Sequence, residues 1–169
     1  MHRRSKSDAT SRYIETISLI EKARSKLLEM VKLELEGLGV YDINNIQGMM
    51  LFNIGDAEMT VGELTLRGCY TGSNVSYVLK KMVENGYIVQ ERSVYDHRVF
   101  NVKLTDKGRA MRDHLSGMHQ RHVDMLAQTE VTDDNLRKTI VTLNQLEQFW
   151  VRAGDLAPQT KPEYLTTSR

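Results

Sequence analysis

The amino-acid sequence predicts a mainly α fold with a small β-hairpin, in which long helices flank a central pair of short ones. Three observations predict it. Apolar residues recur at three- and four-residue steps through most of the chain. Two short helical segments meet at the tight turn Gly68-Cys69-Tyr70-Thr71-Gly72, the pattern of a helix-turn-helix. Directly after them, between Gly86 and Gly108, two β-prone runs bracket a polar turn.

The elements follow in order. Residues 10–38 form one long helix, with Ile17, Ile20, Leu27, Leu28, Val31, Leu35 and Leu38 as its stripe and Gly37 and Gly39 as its stop. Asp42 is the expected N-cap of a second helix over 43–54, closed by Gly55. Thr60-Val-Gly-Glu63 is a capping box that opens a short helix to about residue 67. Thr71 caps the next helix, which runs to Asn85 with Gly86 past its end.

Strands are expected at Tyr87 to Arg92 and at Val99 to Leu104, where Phe100, Val102 and Leu104 share a face; Ser93 to His97 is the polar turn between them. Thr105 caps a long helix carrying Met111, Leu115, Met118, Met125 and Leu126. Thr132-Asp133-Asp134 starts the last helix, with Leu136, Ile140, Leu143, Leu146 and Trp150. Beyond Gly154 the chain reads as extended or loose.

The bulk properties narrow the function. With 169 residues, 40% of them hydrophobic, the chain has enough apolar material for a real core. No apolar run approaches the ~20 residues of a membrane span, so no membrane partner is expected. The basic N-terminus lacks the apolar stretch of a secretory signal, and the single cysteine, Cys69, forms no internal disulfide; a reducing cytoplasm is the expected location. Net charge is only +1, but it is unevenly spread: residues 60–109 carry eight basic against five acidic side chains, whereas residues 13–59 carry four against eight. Positive charge gathers where a polyanion would be met, although chance clustering would look the same.

The helix over 72–85 divides cleanly. Ser73, Ser76, Tyr77 and Lys80 fall on one face, with Asn74 and Lys81 on its flanks; Val75, Val78, Leu79 and Met82 fall on the other. An ordinary solvated face would favour strong helix formers such as Glu, Lys and Gln. Ser, Asn and Tyr are mediocre helix formers but can bond base edges and phosphates, and they sit in the N-terminal half, where recognition helices touch DNA. In the hairpin, Asp96 can hold Arg98 by a charge-assisted bond and aim its guanidinium at a minor groove. Taken alone, the pair would be an ordinary surface ion pair.

The run from Gly86 through Asp96-His97-Arg98 to Leu104-Thr105-Asp106-Lys107-Gly108 resembles, without a gap, the wing-and-helix pattern of the MarR family: G-(L/Y)-(V/I), D-x-R and L-T-x-x-G. With the helix order and length, the resemblance covers roughly residues 10–152. It implies a winged helix-turn-helix DNA-binding lobe with N- and C-terminal dimerisation helices. It implies a homodimer whose first and last helices interlock, with recognition helices in successive major grooves of a pseudo-palindromic operator in double-stranded DNA and wings in the minor groove. The expected organisation is one regulator domain over 1–169: a dimerisation helix at 1–40, the winged helix-turn-helix at 43–104, dimerisation helices at 105–152 and a tail at 153–169.

Residues expected at the DNA are Thr71, Ser73, Asn74, Ser76, Tyr77, Lys80 and Lys81 from the helix, and Arg92, Asp96, His97 and Arg98 from the wing. Where the family often has an arginine, this chain has Gln90, and Arg92 is the candidate to replace its phosphate contact.

Many members of the family respond to small phenolic or aromatic acids, so a similar effector is expected. Its pocket would lie near Met30, Met49, Met50 and Phe52, residues that would equally serve as core filler. Cys69 is a candidate redox switch or, more simply, a buried structural thiol. His114, His119 and His122 share one helix but lack further ligands in sequence reach, so no metal and no other cofactor is expected. No catalytic motif occurs, and no enzyme activity is expected. The expected function is a ligand-responsive repressor or activator of transcription. The alternative is a winged-helix protein–protein module that does not read DNA.

Overall fold

A computed structural model describes residues 2–68 and 72–155, without the side chains of residues 2–7, 72 and 73. The chain divides into two compact units, residues 1–121 and 122–169. The elements are α1 (His2–Gly37), α2 (Asn45–Ile54), β1 (Met59–Thr60), α3 (Val61–Gly68), α4 (Gly72–Glu84), β2 (Ile88–Arg92), β3 (Phe100–Leu104), α5 (Asp106–Leu126) and α6 (Asp133–Asp155). The chain has the winged-helix fold expected of it, mainly helical with one small sheet.

Three boundaries differ from expectation. Helix α1 begins at His2 rather than near residue 10. Residues 2–9 lack the apolar period that reveals a helix, but they also lack proline and glycine, so nothing stops the helix from extending. Helix α2 begins at Asn45, and its N-cap is Asn44, not Asp42. The Asn44 side chain accepts from the Gln47 N–H while the Gln47 side chain accepts from the Asn44 N–H, both at 2.9 Å, which satisfies two of the orphan donors of the first turn. Helix α6 continues through Gly154 to Asp155. The rest of the expected tail lies outside the described residues, as do Cys69 and Thr71.

The sheet holds a third strand that alternation could not reveal. Its order is β1-β3-β2, antiparallel throughout, with Met59 opposite Val102 and Thr60 opposite Asn101. The hairpin pairs Ile88 with Leu104 and Arg92 with Phe100. Thr60 then caps α3: its hydroxyl accepts from the Glu63 N–H at 3.1 Å, and the Glu63 carboxylate accepts from the Thr60 N–H at 2.7 Å.

The core of the first unit draws on every element in it. Val31 and Leu35 of α1, Met50, Leu51 and Ile54 of α2, and Leu64 of α3 are buried there. So are Val75, Leu79 and Met82 of α4, Ile88, Val102 and Leu104 of the sheet, and Met111, Leu115 and Met118 of α5. Each such side chain contributes about 1.5–3 kcal/mol by leaving water. The N-terminal part of α1 leaves Tyr13, Ile14 and Leu19 exposed. In the second unit, α6 buries none of its residues and leaves Ile140, Leu143 and Trp150 exposed. The Thr132 hydroxyl caps α6 by accepting from the Asn135 N–H at 3.2 Å.

Helix α4 ends where the sequence places its stop. Gly86 adopts φ +73°, the left-handed conformation that costs glycine least. It lets the Tyr87 N–H reach the Met82 carbonyl and the Gly86 N–H the Val83 carbonyl, both at 2.9 Å. The chain turns directly into β2, so the helix end fixes the root of the hairpin.

Candidate functional site

Helix α4 presents the two faces its sequence predicts. Val75 and Leu79 are 2% and 0% exposed, and Met82 is fully buried, so the helix has one way to seat on the core. Asn74, Ser76, Tyr77, Lys80 and Lys81 are therefore turned to solvent, Tyr77 with 66% of its surface open. Ser73 belongs to α4, but its side chain lies outside the described residues.

The two lysines share one carboxylate at the end of the helix. Lys81 Nζ is 2.7 Å from a Glu84 oxygen and Lys80 Nζ is 4.0 Å from the other. The hydrogen bond to Glu84, and then its charge, raises the Lys81 ammonium above its ordinary value, while Glu84 is lowered by the same bond. Both lysines stay open to solvent, with roughly half or more of each side chain exposed.

The hairpin tip is ordered by its own polar groups. The Ser93 hydroxyl accepts from the Tyr95 N–H at 3.2 Å. The Asp96 carboxylate accepts from the Arg98 N–H at 2.9 Å, and the Val99 N–H donates to the Asp96 carbonyl at the same distance. Asp96 thus braces the backbone of the turn, and its carboxylate also lies 3.6 Å from Arg98 Nε. The Arg98 side chain is 95% exposed and projects from a fixed base. Arg92 lies with its guanidinium 5.3 Å from the centre of the Phe100 ring, a cation–π contact that leaves it exposed on the strand. Gln90 and His97 are exposed as well.

The turn is less polar than expected. Val94 and Tyr95, at 79% and 97% exposure, form an apolar tip beside Arg98. The last strand pair is Arg92 with Phe100, so the residues between them lie beyond the sheet.

The residues expected around an effector do not share one environment. Met50 is 1% exposed in the core, Met49 is half-buried, and Met30 and Phe52 are 42% and 38% exposed. Phe52 meets His119 edge-on, with ring centres 4.7 Å apart. A cleft of about 210 Å³ does open at the α1–α2 corner, but Lys32, Leu35, Glu36, Val40, Tyr41, Ile43, Asn44 and Asn45 line it. Among the described residues, no group of three or more His, Cys, Asp or Glu side chains could hold a metal ion. Among them, too, no helix is long and apolar enough to cross a membrane.

Comparison with known proteins adds independent findings. A family model described as MarR family matches residues 41–99, from the α1–α2 corner to the hairpin tip. A curated protein of Rhizobium meliloti, the exopolysaccharide II synthesis transcriptional activator ExpG, is 35% identical over 147 residues, spanning 87% of this chain and 76% of its own. Among solved structures, FabT of Streptococcus pneumoniae in complex with DNA superposes with a TM-score of 0.65 at 23% identity, over 86% of this chain and 99% of that one. A mutant MarR from E. coli complexed with operator DNA gives 0.66 at 21% identity, over 80% and 95%. These two likenesses establish the fold.

Proposed function

The chain belongs to the MarR family of transcriptional regulators, and we propose that it acts as a homodimer that reads a pseudo-palindromic operator in double-stranded DNA. The observation that carries this proposal is the pairing of a polar, outward α4 face with an exposed, base-braced Arg98. The helix suits a major groove, where Asn74 and Lys80 can bond base edges and Ser76 and Tyr77 can bond phosphates. The hairpin serves as a wing whose arginine suits the negative potential of a narrow minor groove. Lys81, Arg92 and His97 add contacts at the rim, and Thr71 and Ser73 join them by their position in the sequence. The solved structures of FabT and MarR with DNA support the DNA partner.

A second copy of the chain is the proposed cover for the apolar residues left exposed on α1 and, separately, on α6. Residues 1–40 and 105–152 would then be the dimerisation segments that flank the lobe at 43–104 in sequence. An aromatic or phenolic effector is proposed at the junction of α1 and α2, near Met30, Met49, Met50 and Phe52. The description of ExpG as an activator makes activation the first outcome to assay. A protein–protein module would call for an acidic or apolar outer face on α4, and this face is neither.

The test is a footprint of the purified protein on DNA upstream of its own and neighbouring genes. The expected result is a protected palindrome with half-sites about one helical turn apart and affinity that falls steeply with salt. Absence of binding to any such DNA, or binding indifferent to salt, overturns the proposal.

A further inference from the structure

A group of long-range polar bonds lies away from the outward face of α4, at its far end. Asp42, in the corner between α1 and α2, uses three acceptors at once. Its carboxylate accepts from the Tyr87 hydroxyl at 2.7 Å and from Lys107 Nζ at 2.8 Å. Its carbonyl accepts from the Asn85 side-chain amide. Lys107 closes the circuit, donating to the Asn85 carbonyl at 2.9 Å and sitting 4.0 Å above the centre of the Tyr87 ring. The partners are 43 to 65 residues from Asp42 in sequence, so only the fold brings them together.

We infer that Asp42 is a positioning residue for α4: with Asn85, Tyr87 and Lys107 it clamps the C-terminal end of that helix to the α1–α2 corner and to the head of α5, and so sets the pose of the DNA-facing residues. The inference rests on the DNA-reading role proposed above. Two features make the group more than a surface ion pair.

The first is where it grips. Asn85, Gly86 and Tyr87 carry the chain out of α4, where helix carbonyls lack partners and a cation is favoured. Lys107 supplies that cation at Asn85, while the Thr105 hydroxyl donates to the Gly86 carbonyl at 2.7 Å. The helix end is therefore held from the corner and from α5 together.

The second is leverage. Asn74 lies eleven residues from Asn85, roughly 16 Å along a helix at about 1.5 Å per residue. A tilt of only about 5° at the clamped end would move Asn74 by roughly 1.4 Å, enough to break a hydrogen bond to a base. Non-specific attraction to phosphates tolerates such a shift, because it depends on charge rather than on aligned bonds.

The charge states agree with the geometry. Burial pushes the Asp42 carboxyl up, but the bonds from Lys107 and Tyr87 outweigh it and hold the group below its ordinary range. Lys107 is raised, first by its bond to Asp42. Each member therefore keeps the protonation state the clamp needs at neutral pH.

The test compares wild type with Asp42→Ala and the milder Asp42→Asn, which keeps an acceptor for Tyr87 but loses the ion pair. Binding is measured by fluorescence anisotropy on the footprinted operator and on an unrelated duplex of equal length, well below the unfolding midpoint. Amide exchange is measured in parallel without DNA. The expected result for Asp42→Ala is a loss of operator affinity of about tenfold, with affinity for the unrelated duplex unchanged within twofold and a smaller loss for Asp42→Asn. Exchange at Gly86 and Tyr87 should accelerate while that at Met111 to Leu115 does not. A purely structural role would lower both affinities together, or neither, and that result overturns the inference. Unchanged exchange at Gly86 and Tyr87 overturns the clamp itself. If wild type binds no duplex, the DNA-reading role fails, and the exchange data judge the clamp alone.

Discussion

Replacing Gly108 with alanine isolates the contact on which the wing root is built. A Cβ at Gly108 would stand 2.0 Å from the Tyr87 carbonyl oxygen and 3.1 Å from its carbon. Carbon and carbonyl oxygen ordinarily sit no closer than about 3.3 Å, so α5 or the Tyr87 peptide must retreat by roughly 1.3 Å. That carbonyl also accepts from the Thr105 N–H and hydroxyl, both at 3.1 Å. Overpacking of this kind costs about 1–3 kcal/mol, and weakening two hydrogen bonds costs about 1 kcal/mol each. Against this, alanine in a helix gains up to about 1 kcal/mol over glycine. The net expectation is destabilisation by about 2–4 kcal/mol, a fall of on the order of 1 M in the urea midpoint.

Gly117, in the same helix, is the matched control. A Cβ there meets only the end of the flexible Arg121 side chain at 3.6 Å. Gly117→Ala should therefore stabilise by about 0.5–1 kcal/mol. Both variants are unfolded in urea at one protein concentration and followed by circular dichroism. If Gly108→Ala proves as stable as wild type, or if the two substitutions change stability alike, the steric reasoning is wrong.

Three further outcomes follow from the geometry. Arg98→Ala should weaken operator binding about tenfold or more while leaving the urea midpoint and oligomeric state unchanged, because the side chain is 95% exposed and its pair with Asp96 is a surface one; a lowered midpoint would show that Arg98 is structural. On α4, Lys80→Ala removes a charge as well as a base contact and should lower discrimination between operator and unrelated DNA while reducing the slope of log affinity against log salt by about one, whereas Asn74→Ala should lower discrimination at unchanged slope; equal slopes in the two variants would contradict these roles. The stability that Asp42 and Lys107 contribute should be constant across neutral pH and disappear at both extremes. Asp42 is lowered from its ordinary 3.8, so its share is present above that pH and lost as pH falls through the folded value. Lys107 is raised from 10.5, so its share is present below that pH and lost as pH rises through the folded value. Urea unfolding of wild type against Asp42→Asn across pH checks this, and a gap that widens on acidification would refute it.

What the sequence disclosed depended on the range of the interaction. The two faces of α4 were legible because Val75, Leu79 and Met82 repeat at helical spacing, and the packing that buries them obeys the same period. The Thr60–Glu63 and Thr105 caps were legible because each closes within one turn. Asp42 looked like a cap for the same local reason. Its carboxylate is instead taken by Tyr87 and Lys107, 45 and 65 residues away, and Asn44 caps α2 in its place. Strand β1 was invisible because two residues cannot display alternation; only its pairing with β3 makes it a strand. At the candidate site, exposure on α4 and in the wing could be read from side-chain character. The sharing of Glu84 by Lys80 and Lys81, and the seat of Arg92 on Phe100, depend on side-chain geometry that no local pattern fixes. The effector residues were the least legible, because methionine suits a core and a pocket equally, and Met50 lies in the core.

Thr60 bears on how such a protein can change over time. It is the last residue of β1, opposite Asn101 of the wing, and also the cap of α3, with its hydroxyl and amide both engaged by Glu63. No spacer separates sheet from helix. One inserted or deleted residue at this point would shift either the register of the sheet or the start of the helix. The wing and the first helix of the reading head should therefore be inherited as a single block, and exchange of wings between relatives should keep its breakpoints outside residues 59–63. New specificity would arise by substitution on the exposed faces of α4 and the hairpin tip, where side chains can change without disturbing that joint.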